Sequence, residues 1–240
     1  MDILVQAIQA IQRNVPSLTL YLAITVSANV VALLVGSRIG DPEQASYGKG
    51  VLLLSEMGLD AFLVFCYAAA QAVAFSQLGK EIDRPLWKIA DYREALRRYF
   101  PLWMALNGAV IVLNLLAFVV PPLIDNEEFG RLPFWLLVFA SATYIPVGAA
   151  IMFCRKFEWR KPGEALAPLR RQFPKTLIVL CLNGLLFFFF LSLMVQTASQ
   201  KWIRPIIDII FGYFDCVVFS ATWLICMLDR QAPEKVDLDF

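Results

Sequence analysis

The sequence predicts an all-α fold, a polytopic membrane bundle of six transmembrane helices. Hydrophobic residues make up 59% of the 240 residues and charged residues 17%, whereas soluble domains average roughly half and a quarter. The apolar residues also come in six runs of 19 to 26 residues that are free or nearly free of charge. About 20 helical residues cross the apolar part of a bilayer, so each run is long enough for one span. A third observation, an internal threefold repeat, groups the six spans into pairs.

The six runs also predict the domain organisation. We expect one membrane domain over residues 1–240, because the segments between the runs are too short to fold by themselves. Residues 229–240 are expected to form a short cytoplasmic tail. The predicted spans are about 16–36, 57–79, 101–121, 132–154, 175–197 and 204–228.

Basic residues are distributed unequally between the loops on the two sides. Six lie between the second and third spans and seven between the fourth and fifth, against five in the three opposite loops together. Short loops rich in Lys and Arg stay on the cytoplasmic side of a membrane. The distribution therefore predicts that the N-terminus and the C-terminus are both cytoplasmic.

A short pattern recurs three times, each time at the start of an odd-numbered span. The sequence is IQRNVP at Ile11–Pro16, LRRYFP at Leu96–Pro101 and LRRQFP at Leu169–Pro174. Proline suits the first turn of a helix, where its missing N–H would have had no partner. Arg–aromatic–Pro is also a common combination at membrane boundaries, but three copies in register with the spans favour a true repeat.

An amphipathic stretch precedes each of these prolines. Met1–Val15, Pro85–Phe100 and Gly163–Phe173 each place apolar residues at helical spacing on one face, which is typical of helices that lie in the membrane interface. We therefore predict three tandem hairpins, each an amphipathic interfacial elbow followed by an outgoing and a returning helix. The arginines just before the prolines are expected to contact lipid headgroups: Arg97, Arg98, Arg170 and Arg171.

The elbows also carry a likeness to known families. Glu94–Arg98 has the sequence EALRR and Glu164–Leu166 has EAL, and each runs into a span. In this layout the chain resembles the bacterial six-helix families typified by YciC-like proteins and the membrane domain attached to some glycerophosphodiesterases. The function of those families is poorly known. The resemblance implies a bacterial inner membrane protein and brings no catalytic residues with it.

Features required by the common enzyme classes are missing from the sequence. It has no histidine, which removes the commonest general base and metal ligand. It has no Gly-rich phosphate loop, no Gly-x-Ser-x-Gly and no cysteine cluster. An intramembrane aspartyl protease needs a second membrane-embedded aspartate on another helix, and Asp215 has none. We expect a non-enzymatic protein without catalytic residues, cofactor, metal or nucleic-acid partner.

Two carboxyl groups fall in the last predicted span. Asp215 lies near its middle, and Asp208 lies seven residues earlier, two helical turns away on the same face. Ionisable groups inside membranes are rare and usually functional because burying a charge is costly, and no Lys or Arg lies deep in any span. We therefore expect Asp215 to be protonated or hydrogen-bonded to a polar partner. The candidate partners are Asn29, Asn107, Asn114 and Asn183.

These residues leave two hypotheses for the function. The first is a non-enzymatic accessory or scaffold subunit, in which Asp215 is a neutral group that packs helices and whose partners are membrane lipids and other membrane protein subunits. The second is a small proton- or cation-coupled transporter or channel that uses Asp215 and Asp208. The sequence alone favours the first. An accessory protein should have a filled bundle with an apolar flank, whereas a transporter should have a polar cavity that converges on Asp215.

The orientation can be tested by thiol labelling. In a background without the five native cysteines, Ser37→Cys, Asn126→Cys and Gln200→Cys are each expected to react with an impermeant reagent added outside the cell, because these positions flank spans at the predicted outer face. Ala90→Cys should react only after the membrane is permeabilised. Labelling in the reverse sense would invert the orientation and leave the six spans unchanged.

Overall fold

The computed structural model describes residues 2–39, 49–83, 92–119, 127–154, 162–197 and 203–236. These segments are helical over nearly their whole length and contain no strand, which confirms the predicted all-α fold. Their helices are α1 (Asp2–Arg13), α2 (Val15–Ile39), α3 (Lys49–Asp83), α4 (Tyr92–Val119), α5 (Glu127–Phe153), α6 (Pro162–Arg171), α7 (Phe173–Gln196) and α8 (Arg204–Val236).

Among the described residues, six helices are long and apolar enough to span a membrane, which confirms the predicted number of spans. Together they indicate an integral membrane protein. Residues 229–236 of the predicted tail continue α8. The apolar portions are Val15–Ser37 of α2, Met57–Asp83 of α3, Tyr92–Ala117 of α4, Leu132–Phe153 of α5, Phe173–Met194 of α7 and Arg204–Gln231 of α8.

The six spans form an inner and an outer group. In the most apolar 18-residue stretch of each span, 44% to 61% of the residues are buried in α3, α5 and α8, but only 11% to 17% in α2, α4 and α7. The inner helices contact one another, and each outer helix packs against two of them: α2 against α3 and α8, α4 against α3 and α5, and α7 against α5 and α8. This cyclic order is compatible with three equivalent hairpins. The internal repeat itself stays a prediction.

An aromatic cluster fills one half of the bundle. It consists of Phe75 of α3, Trp103 of α4, and Phe219 and Trp223 of α8, all of them buried. Phe75 stacks on Phe219 with ring centroids 4.3 Å apart, and Trp103 meets Phe75 edge-on at 5.3 Å. The indole N–H of Trp103 donates to the sulfur of Met152 on α5 at 3.3 Å. The cluster therefore joins α4 to the three inner helices near the end at which those inner helices finish.

Two glycines of the inner helices make room for the tryptophans of this cluster. A Cβ atom at Gly79 of α3 would lie 2.7 Å from the ring of Trp223, and one at Gly148 of α5 would overlap the ring of Trp103. Small residues let membrane helices approach one another closely. Each tryptophan ring thus packs against the backbone of a neighbouring inner helix, and both contacts depend on the missing side chain.

Two short helices lie at the same end of the bundle as the aromatic cluster. α1 packs mainly on α8, where Ala7 and Ile11 are buried. α6 packs on α5 and α8, with Ala165 buried. Arg171 at the end of α6 lies 3.4 Å from Asp229 of α8. These contacts cover the packed end of the bundle.

The positions of the short helices bear on the predicted elbows. α1 and α6 directly precede α2 and α7, which begin the first and third hairpins. Tyr92–Phe100, from the second elbow, is instead continuous with α4, and Pro85–Asp91 falls outside the described residues. The elbows before all three hairpins therefore stay a prediction, as does their place in the membrane interface.

The tight contact between Gly148 and Trp103 predicts a position-specific effect of alanine. We expect Gly148→Ala to destabilise the protein by about 1–3 kcal/mol, because the added methyl group overpacks a fully buried ring. Gly108 of α4 has no atom within 4 Å of an added Cβ, so Gly108→Ala is the matched control and should melt at or slightly above the wild-type temperature. Thermal unfolding in mild detergent measures both; equal melting temperatures would contradict the packing described.

Candidate functional site: a cavity within the bundle

A cavity of about 390 Å³ lies among the spans, in the half of the bundle opposite the aromatic cluster. All six spans contribute to its wall. It extends from Tyr21 and Asp215, near the middle of the bundle, to Arg204, where α8 begins. Two carboxyl groups, one guanidinium, three asparagines and three tyrosines are set among aliphatic and phenylalanine side chains. Its volume falls at the lower end of the range of about 300–1,000 Å³ that is usual for small-molecule sites.

The cavity ends where the aromatic cluster begins. Tyr21 of α2 is fully buried, and its ring lies 5.1 Å from that of Phe75. Asp215 precedes Phe219 by four residues on α8, which places the two side chains one turn apart. A polar floor formed by Tyr21 and Asp215 therefore lies directly against the packed aromatic rings.

The hydroxyl of Tyr21 donates a hydrogen bond to Oδ2 of Asp215 at 2.9 Å. A polar partner was expected for Asp215, but this partner is a tyrosine and not one of the four asparagines named from the sequence. The phenol carries its donor further from the backbone than an asparagine amide does, so α2 can supply it from the outer group of helices. The bond connects α2 to α8 at the floor of the cavity.

Asp208 lies on the same face of α8, two turns nearer the start of the helix. It lines the cavity and is 8% exposed, and its Oδ2 has no hydrogen-bond partner among the described residues. Ser141 of α5 lines the same cavity, and its buried hydroxyl likewise lacks a partner in the described part of the chain. A buried polar atom without a partner costs about 1–3 kcal/mol. Two of the six such atoms found among the described residues therefore lie in the cavity wall, where water, an ion or a ligand could complete their hydrogen bonding.

Of the four asparagines named from the sequence, three line the cavity and one does not. Asn29 donates to the hydroxyl of Tyr67 at 2.7 Å, and Asn107 donates to Oε1 of Gln71 at 2.6 Å. Asn183 donates to the backbone oxygens of Ser141 and Ala142 at 3.1 and 3.0 Å. These three line the cavity and join neighbouring spans. Asn114 is exposed and does not contribute to the wall.

Three tyrosines of the cavity wall were not identified from the sequence. They are Tyr21, Tyr67 and Tyr144. Tyrosine is enriched at the two membrane interfaces, yet Tyr67 and Tyr144 fall near the middle of their predicted spans. That position was a usable signal, because a phenol placed deep in a membrane needs a hydrogen-bond partner.

The four arginines predicted to contact lipid headgroups lie outside the cavity. Arg97, Arg98, Arg170 and Arg171 are all exposed, and the Arg98 guanidinium lies 5.5 Å from the ring centroid of Tyr99. Arg171 is paired with Asp229 at 3.4 Å, and its side chain is 67% exposed, so the pair contributes little to stability. Contact with lipid stays a prediction. In the described part of the chain, no group of three or more His, Cys, Asp and Glu could hold a metal ion.

Comparison with known proteins gives no relative: no family model matches the chain, and no curated protein or solved structure matches it. The resemblance to YciC-like proteins therefore stays a prediction. Any functional assignment depends on the geometry of the cavity alone.

The bond between Tyr21 and Asp215 predicts how substitutions at the floor affect stability. Asp215→Asn should melt close to the wild-type temperature, because the amide oxygen can accept the same hydrogen bond. Asp215→Leu should lose about 1–3 kcal/mol, since the buried Tyr21 hydroxyl is left without its acceptor. Adding Tyr21→Phe to Asp215→Leu should recover most of that loss, which a double-mutant cycle of thermal unfolding measures. If Asn destabilises as strongly as Leu, Asp215 is ionised and has a further partner.

Proposed function

We propose that this chain is a membrane transport protein that binds a small solute in the cavity and couples its movement to that of a proton or cation, using Asp208 and Asp215. One observation carries the proposal: both membrane-embedded carboxyl groups of α8 line a cavity of about 390 Å³ that reaches from the middle of the bundle to one end. A polar cavity converging on Asp215 is the feature expected of a transporter and not of an accessory subunit.

The state of Asp208 supports a functional cavity over a packing defect. A carboxyl group that served only to join helices would be expected to find a donor on a neighbouring helix. Asn29 of α2 does interact with the carboxyl group of Asp208, but the Oδ2 atom has no donor in the described part of the chain, although the residue is 8% exposed. Because ionisable groups within membranes are costly, an incompletely bonded carboxyl group is best explained by a ligand or ion that binds there.

The asymmetry of the bundle supports transport over simple binding. One half holds the cavity, and the other is filled by the aromatic cluster and covered by α1 and α6. A carrier alternates between states open to opposite sides, and a bundle packed at one end and hollow at the other corresponds to one such state. Movement to the opposite state would require the cluster around Phe75, Trp103 and Phe219 to separate.

A second candidate, the accessory subunit, is favoured by the outer helices. Leu185 and Phe189 of α7 are 69% and 58% exposed, and lipid or another membrane protein could cover such a face equally well. This role would leave the polar wall of the cavity without a purpose. The accessory role is therefore the second candidate, and the following experiment also tests it.

The proposal predicts solute movement that depends on Asp215. Purified protein is reconstituted into vesicles that contain a pH indicator, and amines, amino acids, sugars and carboxylates are added outside in turn. At least one class should produce saturable proton or solute movement, and Asp215→Asn should reduce it to the level of empty vesicles, because an amide cannot bind and release the proton.

The matched control is Asp229→Asn, the same substitution on the same helix at a residue that lies outside the cavity and pairs with Arg171. It should retain wild-type movement. Absence of saturable movement for every class, together with stable comigration with another membrane protein in mild detergent, would contradict the proposal and support the accessory role.

A further inference from the structure

We infer that the ligand of the cavity is a small organic cation with an apolar body, whose cationic group binds at Asp208. This inference rests on the proposed function and names its substrate class. Three features of the wall lead to it: the balance of charge, the unpartnered oxygen of Asp208, and the aromatic rings that surround the carboxyl groups.

The charge of the wall selects a cation. Asp208 and Asp215 are both on the cavity face of α8, while the one basic residue among the described lining residues is Arg204. Arg204 is exposed at the start of the helix, one turn from Asp208 and about three turns from Asp215. The interior of the cavity therefore presents carboxyl groups, and the guanidinium is confined to its rim. An anion next to Asp215 would lie about three helical turns from Arg204, the one guanidinium among the described lining residues.

Asp208 provides the binding atom. Its Oδ2 lacks a donor in the described part of the chain, although the residue is 8% exposed. An ammonium group at this oxygen would act together with Arg204, which already lies near enough to interact with Asp208, and would remove the penalty of an unpaired buried acceptor. Asp215 differs because one of its oxygens already accepts the hydroxyl of Tyr21 at 2.9 Å. Asp208 is thus the carboxyl group of the wall whose hydrogen bonding is incomplete within the described part of the chain.

The aromatic rings near Asp208 suit an organic cation. Phe211 follows Asp208 by three residues and precedes Asp215 by four, so all three lie along one face of α8. Phe190 of α7 meets Phe211 with ring centroids 4.6 Å apart, and both rings line the cavity. Rings of this kind attract ammonium groups through their faces, most strongly where water is excluded. Carboxylate and aromatic rings thus converge on one part of the wall.

The remaining wall favours an organic cation over an inorganic one as the principal ligand. Hard metal cations require a shell of oxygen ligands, whereas much of this wall is aliphatic, with Leu63, Val110 and Leu186 among its members. A volume of about 390 Å³ also far exceeds that of a bare ion and matches a small molecule. The apolar part of the wall is complementary to an apolar ligand body, and the carboxyl group of Asp208 is complementary to a cationic group.

The probe for this inference is tritiated benzyltrimethylammonium, with binding measured on the purified full chain in lipid nanodiscs. We expect saturable binding that unlabelled probe displaces. The neutral N,N-dimethylbenzamide, which has a similar size, should compete poorly, as should phenylacetate and sodium. Asp208→Asn should weaken binding about ten- to a hundredfold, because the ligand loses a charge-assisted contact, while Asp229→Asn should leave the affinity unchanged.

A second variant tests the inference independently, in case Asp208→Asn does not fold. Phe211→Leu keeps an apolar side chain and removes the ring, so it should weaken binding of the quaternary ammonium by about two- to thirtyfold. Both variants are used only if they elute as a single species and melt near the wild-type temperature. Absence of saturable binding, or equal competition by the neutral amide, would overturn the inference.

Different experimental results would contradict this inference and the proposed function. Binding of the probe that depends on Asp208, without movement of the probe into vesicles, would support the ligand class and contradict transport. Movement of another solute class that depends on Asp215, without binding of the probe, would support transport and overturn the ligand class.

Discussion

Close packing of tryptophan rings on glycine backbones governs the shape of this bundle. Trp103 lies against Gly148 and Trp223 against Gly79, and both contacts belong to the half of the bundle that is filled by aromatic rings. Membrane helices gain little from burying apolar surface against one another, since lipid is equally apolar, so close packing decides how they associate. These two contacts bring the helices together in the packed half, and the cavity lies in the other half.

The cavity also contains polar residues that are costly to bury in a membrane without a partner. Asp215 lies at the boundary between the two halves and accepts a hydrogen bond from the hydroxyl of Tyr21. Asp208 lies nearer Arg204, in the half that holds the cavity, and its Oδ2 has no donor among the described residues. Asn29, Asn107 and Asn183 bond to neighbouring helices and hold the surrounding wall. One carboxyl group therefore has a hydrogen-bonded partner at the floor of the cavity, and the other has an oxygen without a donor among the described residues. This difference within a single helix face is the physical basis of the proposed transport function.

Several features of the protein could be predicted without its structure. Six apolar runs of sufficient length determine six spans, because backbone polar groups in lipid must bond within their own helix, and that constraint acts locally along the chain. The spacing of Asp208 and Asp215 likewise placed them on one face of one helix, since helical geometry needs no tertiary information. Asn114 was grouped with the other asparagines, but it is exposed outside the cavity, because composition does not tell which face of a span meets another helix.

The sequence by itself determined the helical class, the number of spans and the presence of two membrane-embedded carboxyl groups. Only the tertiary structure decided that Tyr21 is the partner of Asp215, that Oδ2 of Asp208 has no donor in the described part of the chain, and that both carboxyl groups line one cavity. The physical reason is the uniform apolarity of the spans: every face of such a helix is compatible with lipid, so hydrophobic periodicity does not reveal which faces meet. Contacts such as that of Trp103 with Gly148 depend on the shapes of residues far apart in the chain, and those shapes combine only in the folded bundle.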